Sequence, residues 1–428
     1  MLGMLPSMHQ RFILLSLLLI ASSFQGLRAD GNFYLKDGDR VVFYGDSITD
    51  QRLYTTFTET YVITRFPKMN VQFVHSGWGG DRVTGGGGGP IDLRLKRDVF
   101  AYKPTVMTIM LGMNDASYRA FDQGIFDTYV KGYEHIIKSV KSELPGIRIT
   151  VIEPSPFDDV TQEPKFEGGY NAVLLRYGEF VKTLGQRENL NVADLNNPVV
   201  AALKKAKATD AKLAGKLVPD RVHPAPSGQL LMAAELIKSW NAPATVTEVQ
   251  IDASNKSVVK TVSTKVGGAQ FGGGVTWNQM DAALPMPVDT KDPAIVLAVQ
   301  SSDFVEALNQ QTLKVSGLSN ARYTLNIDGT KVGSFSNEDL AHGINLATLP
   351  TPMTAQARKV HELTIRHNDM HFARWRNIQV PLETQKAPKV RKAIGNLITA
   401  LDDEEASVIK QQRAAAKPVL HQYELRPE

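Results

Sequence analysis

Short apolar runs alternate with amphipathic segments over the first half of the chain. The runs are bounded by turn residues or polar segments, as is typical of buried parallel strands. They are Val41–Tyr44, Val71–Val74, Thr105–Leu111, Ile147–Ile152 and Val192–Leu195. In one intervening segment, Ile125–Leu144, apolar residues recur at helical spacing and predict an amphipathic helix. Strands separated by helices predict a parallel sheet covered on both faces.

The pattern changes after Trp240. From about residue 246 to 382 the helical periodicity fades, and β-branched residues, glycines and turn dipeptides dominate. Asp328-Gly329 lies between the strand-like runs Tyr323–Ile327 and Thr330–Phe335, which predicts a hairpin. We therefore predict an α/β domain over 30–243, a β-rich, sandwich-like module over 244–385, and a C-terminal helix with a polar tail over 386–428.

The first 29 residues have the pattern of a signal peptide. His9 and Arg11 form a short basic start, the apolar run Phe12–Ala21 follows, and small residues come next. This run of about 10 residues is shorter than the roughly 20 that span a bilayer. A buried N-terminal helix is the alternative. The pattern predicts export to the periplasm or the extracellular space, with cleavage after Ser23 or after Ala29.

Composition narrows the class of protein. The chain has 428 residues, of which 43% are hydrophobic and 21% charged, as expected of a globular protein with a sizeable core and room for two domains. The net charge of +4 is small, and without a dense basic patch we expect no nucleic-acid partner. Cysteine is absent, so disulfides and thiol nucleophiles are excluded. No later segment predicts stable membrane insertion, and the oligomeric state stays open.

A candidate nucleophile follows the first predicted strand. Ser47 ends the sequence Gly45-Asp46-Ser47, where the glycine allows a tight turn. A serine there projects from the carboxyl end of the sheet, where open α/β sheets place their ligand crevices. By itself the triplet is more typical of a serine that caps an ordinary helix.

Asp220 and His223 form a candidate base. Spacing of three residues in a loop can bring the carboxylate to one ring nitrogen and leave the other free to accept a serine proton. An exposed loop histidine beside a capping aspartate is the alternative.

Two further strand ends offer hydrogen-bond donors for a developing oxyanion. One is the glycine-rich segment from His75 to Asp81, whose backbone N–H groups are unobstructed. The other is Gly112-Met113-Asn114-Asp115, where an asparagine side chain can donate.

In this order, the four segments resemble the four sequence blocks of the SGNH/GDSL hydrolase superfamily, over about Gly38 to Trp240, half of the chain. The resemblance implies a flavodoxin-like three-layer α/β/α sandwich with a parallel sheet. It implies that Ser47 attacks, that His223 is the general base and that Asp220 orients it. The N–H groups of Ser47 and Gly80 and the side chain of Asn114 would form the oxyanion hole. The position of His75, where the family often has asparagine, departs from this pattern.

The resemblance implies a serine ester hydrolase that works through an acyl-enzyme, with no cofactor and no metal. The substrate is a small-molecule or polysaccharide ester, and export with a β-rich appendage favours removal of acetyl groups from carbohydrate. A lysophospholipase or thioesterase activity is an alternative. A catalytically silent glycan-binding protein on the same fold is another. We expect the β-rich module to shape substrate access without contributing catalytic groups.

Several other features are interpreted as structural. We expect Asp46 to brace the nucleophile loop, and Asp50, Gln51 and Arg52 to line its mouth. The run Gly85–Gly89 lacks the Gly-Lys-Ser/Thr ending of a phosphate-binding loop and predicts a flexible loop bordering the cleft. Five histidines lack metal-ligand spacing and are interpreted as surface or structural: His135, His342, His361, His367 and His371. The aromatic residues Trp277, Phe372 and Trp375 fit a module core better than a sugar-stacking face.

Overall fold

The computed structural model describes residues 33–428, so the predicted signal peptide lies outside the described residues. A five-stranded parallel sheet forms the centre of the first half. Its strands, in spatial order, are Gln72–Gly77, Arg40–Gly45, Val106–Met110, Arg148–Ile152 and Asn191–Ala193. The strand Arg40–Gly45 is central, since Val42 pairs with Val74 on one side and with Met107 on the other. All five predicted strands are present, with ends shifted by up to three residues.

Helices flank this sheet, as predicted for an α/β domain. They are Ser47–Asp50, Leu53–Arg65, Ile91–Asp98, Gln123–Glu143, Gly169–Glu188, Asn197–Thr209, Ala211–Ala214 and Pro226–Ser239, with a single 3₁₀ turn at Phe100–Tyr102. The helix predicted at 125–144 begins where the Asp122 carboxylate accepts a hydrogen bond from Ile125 N–H at 3.0 Å. Its apolar stripe is buried, which confirms the helical interpretation.

Two further sheets make the second half β-rich, as predicted. One contains, in spatial order, Ile344–Asn345, Gln310–Ser316, Thr245–Asp252 and Ser257–Val262. The other contains Thr264–Phe271, Val275–Asp281, Leu420–Pro427, Arg322–Ile327 and Thr330–Ser336. The predicted hairpin is present, and its turn residues Asp328 and Gly329 both have positive φ, 50° and 76°. Positive φ at both positions is the requirement of the tight turn that Asp-Gly favours.

The polar tail predicted near the C-terminus contains a strand. Leu420–Pro427 pairs with Val275–Asp281 on one side and with Arg322–Ile327 on the other, so it is an interior strand of the second sheet. His421, Tyr423 and Leu425 point into the core, and polar residues alternate with them. Sequence reasoning missed this strand because half of its side chains are polar. Without knowledge of the two neighbouring strands, such a segment resembles a solvated tail.

A second difference lies at the end of the segment predicted to be β-rich. Pro352–Phe372 is a long helix that continues through a wider π-helical turn, Ala373–Gln379, into Val380–Leu382. Its buried face includes Thr364, His367 and His371, so apolar residues do not recur regularly along it. We call this segment, residues 352–382, the cover helix. Shorter helices of the second half are Pro293–Gln300, Phe304–Leu308 and Asn337–His342, with a 3₁₀ turn at Leu346–Thr348.

The predicted C-terminal helix is present as Pro388–Ala415 and packs along the cover helix. The two halves of the chain also share buried polar contacts. The fully buried Arg65 donates hydrogen bonds to the carbonyl oxygens of Pro243 and Thr245, each at 2.9 Å, and to that of Leu308 at 2.7 Å. Within residues 33–428, no helix is long and apolar enough to cross a membrane.

Candidate active site

Ser47 begins a short helix at the carboxyl end of the central strand. Asp46 caps this helix, its carboxylate accepting from Ile48 N–H at 3.1 Å, which confirms that Asp46 braces the loop. Burial raises the pKa of Asp46 to about 7. Gly77 at the end of the neighbouring strand is required here, because a Cβ would collide with the backbone of Thr49 and Asp50. The helix can therefore turn tightly over the sheet edge and present Ser47.

His223 lies between Ser47 and Asp220. Its Nε2 is 2.8 Å from Ser47 Oγ, and its Nδ1 is 2.7 Å from Asp220 Oδ2. Burial acts to raise the pKa of Asp220, but hydrogen bonds from the backbone and ring of His223 and from Val222 N–H leave it below its usual value. The ionised carboxylate favours the tautomer with the proton on Nδ1, so Nε2 can accept the serine proton.

The glycine block approaches this site as a supported loop. Gly79 N–H donates to Asp50 Oδ2 at 3.1 Å, and Gly80 has a φ of +78°, a left-handed conformation that glycine adopts without strain. The carboxylate of Asp81 accepts from Arg94 Nε at 2.7 Å, and both side chains are fully buried. A buried ion pair thus anchors the end of the loop, while Gly80 turns its backbone.

The third predicted block is held by two hydrogen bonds on the amide of Asn114. Its Nδ2 donates to the carbonyl oxygen of Asp81 at 3.1 Å, and its Oδ1 accepts from the hydroxyl of Tyr118 at 2.9 Å. The neighbouring Asp115 accepts from Val83 N–H at 2.9 Å, which ties this turn to the segment after the glycine block. The structure therefore joins the second and third blocks directly.

An open cleft of about 380 Å³ surrounds the serine. It is lined by Ser47, Asp50, Gln51, Arg52, Asp220, His223 and Phe372. The prediction that residues 50–52 line the mouth is confirmed. Arg52 lies with its guanidinium 4.2 Å from the centre of the Phe372 ring and donates to Asp369 Oδ1 at 3.2 Å. Both partners belong to the cover helix, so a wall of the cleft comes from the second half of the chain.

The cover helix also supports the glycine block. The guanidinium of Arg376 lies 3.0 Å from the centre of the Trp78 ring, and Trp375 meets the same ring edge-on. Trp375 Nε1–H donates to the buried Asp98 at 2.6 Å, which in turn pairs with Arg94. Sequence reasoning missed these roles. The capping pattern of Thr351, Pro352 and Thr354 was the available signal for the helix.

The three aromatic residues considered for a sugar-stacking face, Trp277, Phe372 and Trp375, do not form one face. Trp277 stacks on Tyr423 inside the module, so the core interpretation is confirmed for Trp277. Trp375 is also buried, but it packs against Trp78 of the hydrolase domain, so the module-core interpretation is wrong for Trp375. Phe372 is partly exposed in the cleft. The glycine run folds into a short turn against Trp78, where a Cβ on Gly88 would lie 2.7 Å from the indole.

His75, the departure from the family pattern, points away from the cleft. Its Nδ1 is 2.7 Å from Thr55 Oγ1, and its Nε2 is 3.2 Å from Glu59 Oε2. Burial lowers the pKa of His75 to about 4, so the ring is neutral and donates to Glu59. Glu59 also meets His367 of the cover helix. His75 thus connects the sheet to the helices that cover it.

The other histidines occupy separate places. His135 lies 2.6 Å from Asp92 at the surface, and His361 lies 2.9 Å from Thr60. His371 is buried 3.6 Å from Glu405. Among residues 33–428, no group of three or more histidine, aspartate or glutamate side chains is arranged to hold a metal ion.

Comparison with known proteins identifies the family and the fold. Residues 43–231 match the GDSL-like lipase/acylhydrolase family. This part of the chain belongs to the SGNH/GDSL hydrolase superfamily, and the protein is a hydrolase acting on ester bonds. An acetylxylan esterase from Geobacillus stearothermophilus is 25% identical over 224 residues, which are 47% of this chain and 93% of that protein.

A solved structure resembles the whole architecture. A gut microbial diltiazem-metabolizing enzyme superposes with a TM-score of 0.78 at 26% identity, over 92% of this chain and 98% of that chain. The likeness therefore includes the β-rich module and the C-terminal helices as well as the hydrolase domain.

Proposed function

We propose that this protein removes small acyl groups, acetyl above all, from carbohydrate through a covalent acyl-enzyme on Ser47. The observation that carries the proposal is the pair of contacts of His223, 2.8 Å to Ser47 Oγ and 2.7 Å to Asp220 Oδ2. Nucleophile, base and orienting carboxylate at hydrogen-bond distance are the requirement for acyl transfer by a serine.

The proposed reaction has two halves. His223 Nε2 accepts the proton of Ser47 Oγ as the oxygen attacks the ester carbon. The oxyanion is stabilised by the N–H groups of Ser47 and Gly80 and by the side chain of Asn114. When the tetrahedral intermediate collapses, the imidazolium of His223 donates its proton to the departing alcohol. Water then attacks the acyl carbon while His223 accepts its proton. Collapse of this second tetrahedral intermediate releases the carboxylic acid, and His223 returns the proton to Ser47 Oγ.

The lining of the cleft supports a small acyl group and a polar alcohol. Phe372 is the one large apolar side chain among the residues that line it, and the others are polar or charged. Hydroxyl-rich alcohols hydrogen-bond to such residues and stack on an aromatic ring. A long acyl chain would instead require an extended apolar surface. The similarity to an acetylxylan esterase favours the same substrate class.

A panel of acyl esters tests the proposal. It contains p-nitrophenyl acetate, butyrate and octanoate, an acetylated xylooligosaccharide, a lysophospholipid, an acyl thioester and diltiazem, the last because a structural relative metabolizes it. We expect acetyl esters to be hydrolysed fastest and Ser47→Ala to be inactive. If Ser47→Ala or His223→Ala kept more than about a tenth of kcat, the assignment would be wrong, because such losses normally span several orders of magnitude.

A fluorophosphonate probe distinguishes an enzyme from a catalytically silent glycan-binding protein. We expect the probe to label the wild type and not Ser47→Ala. Binding to a glycan without labelling or turnover would indicate a silent glycan-binding protein. Preferred hydrolysis of the lysophospholipid or of the thioester would indicate a lysophospholipase or a thioesterase.

We also propose that the protein is exported. The basic start and apolar run of residues 9–21 support this. Mass spectrometry of the protein from envelope and medium fractions should find a mature N-terminus at Phe24 or Asp30. A full-length chain confined to the cytoplasmic fraction would overturn export.

A further inference from the structure

Two hydrogen bonds hold the side-chain amide of Asn114 in one orientation, because the amide donates in one and accepts in the other. The carbonyl oxygen of Asp81 can only accept, so the atom facing it, at 3.1 Å, must be the amide nitrogen. The hydroxyl of Tyr118 lies 2.9 Å from Oδ1 and donates to it. One N–H of Asn114 is left over after these two contacts. A flipped amide would set two oxygens against each other at Asp81.

Tyr118 reaches Asn114 through an unusual stretch of backbone. Ser117 and Tyr118 both have positive φ, 58° and 53°. Side chains disfavour this left-handed conformation, and two such residues in succession are rare outside functional sites. Tyr118 is 44% exposed, so this strained backbone holds a side chain that is only partly buried.

The ring of Tyr118 packs against the aromatic rings of Tyr170 and Phe157. It stacks on Tyr170, with centroids 5.1 Å apart and planes at 26°. The hydroxyl of Tyr170 donates to the carbonyl oxygen of Met113 at 2.6 Å, immediately before Asn114. Tyr170 therefore anchors the backbone of the turn, while Tyr118 holds the side chain. Burial raises the pKa of Tyr118 to about 12, so its hydroxyl stays protonated and able to donate.

We propose that Tyr118 is a positioning residue for the oxyanion hole, acting through Asn114. Its hydrogen bond keeps the free N–H of Asn114 in the orientation that meets the negative oxygen of the tetrahedral intermediate. The inference rests on the proposed function, because it assigns Asn114 the role of a donor in that reaction. Tyr118 lies outside the four sequence blocks. Its hydrogen bond to Asn114 and its left-handed backbone conformation are the two observations that identify it.

Tyr118→Phe tests this inference, because it removes the hydroxyl and keeps the stacked ring. With p-nitrophenyl acetate we expect kcat to fall about 10-fold with KM unchanged, less than the roughly 100-fold expected when Asn114→Ala removes the donor itself. In an Asn114→Ala background the same change should alter kcat less than about twofold, since both variants act on one group. Tyr102→Phe is the matched control, because its buried hydroxyl has no partner within residues 33–428, and its kcat should be unchanged.

Two results would overturn the inference. One is a Tyr118→Phe enzyme with kcat within twofold of wild type. The other is an equal loss with and without Asn114, which would indicate a general structural effect. Failure of the proposed function is distinguishable, since in that case Ser47→Ala would also retain activity.

Discussion

Glu59 Oε1 lies 3.0 Å from Nδ1 of His367, although 308 residues separate them along the chain. Both side chains are 2% exposed. Nε2 of the same imidazole is 3.1 Å from Glu405 of the C-terminal helix, so one ring bridges two carboxylates. Burial acts to lower the pKa of His367, but Glu59 and Glu405 raise it to about 10. A buried cation therefore joins the hydrolase domain to the helices that cover it.

Glu59→Gln should destabilise the protein by about 3 kcal/mol, because removal of one partner leaves a buried charge poorly compensated. Glu405 still faces His367, which keeps the loss at the low end of the expected range. Urea denaturation measures it. The control is Glu134→Gln, whose partner Arg187 is about half exposed, with an expected change below about 0.5 kcal/mol. Equal small changes in both variants would contradict a structural role for the buried pair.

The same cluster predicts how stability varies with pH. His367 has a folded pKa of about 10, raised from 6.5, so its stabilising contribution is complete below pH 6.5 and is lost as pH rises through 10. The free-energy difference between wild type and His367→Gln should shrink over that interval. Denaturation at pH 6, 8 and 10 checks this, and a constant difference would show that the charge of His367 does not stabilise the fold.

Glu405 has the opposite dependence. Burial acts to raise its pKa, but contacts with His367 and His371 lower it from 4.5 to about 2. Its contribution is therefore present above pH 4.5 and is lost as pH falls toward 2. Glu405→Gln should be less stable than wild type at pH 5. This difference in the free energy of unfolding should shrink as denaturation is repeated at lower pH, down to pH 2.5. An effect that stayed the same in acid would contradict the assignment.

Asp220→Asn should lower kcat by roughly 100- to 10,000-fold with little change in KM, because an amide no longer selects the tautomer that leaves Nε2 free to accept. Steady-state kinetics on p-nitrophenyl acetate measure the loss. Asp210→Asn is the control, since that carboxylate only caps a short surface helix and should leave kcat unchanged. A fully active Asp220→Asn enzyme would mean that His223 needs no orienting carboxylate.

Phe372→Ala should raise KM for an acetylated oligosaccharide at least about threefold and leave kcat/KM for p-nitrophenyl acetate nearly unchanged, because only the larger alcohol reaches that wall of the cleft. Leu397→Ala, at an exposed position of the C-terminal helix, is the control. Equal effects on both substrates would assign Phe372 a structural role.

The second half supplies part of the cleft wall, in agreement with the expectation that it shapes substrate access. The predicted nucleophile, base and oxyanion donors all precede residue 244, yet Phe372 lines the cleft, and Trp375 and Arg376 contact the network under the glycine block. A chain ending near Pro243 would expose these contacts together with Arg65 and Glu59. The hydrolase domain and the second half therefore share a buried interface.

Sequence alone determined the parallel sheet and the grouping of Ser47 with the Asp220–His223 pair, whereas the oxyanion roles of Gly80 and Asn114 stay predictions. Each belongs to a local pattern, and the carboxyl ends of neighbouring parallel strands meet at one edge, so order along the chain was enough to group them. The hairpin at Asp328-Gly329 was predictable for the same reason, since its turn requires only two adjacent residues.

Only the tertiary structure decided what surrounds that site. The cover helix was hidden because its buried face carries His367 and His371, whose burial is stable only against Glu59 and Glu405. The last strand, Leu420–Pro427, became recognisable only between its two neighbours. Tyr118 acquired its contact to Asn114 through a backbone conformation that its residue type does not favour. Residues far apart in sequence determine these features, so they cannot be predicted from the local pattern of polar and apolar residues.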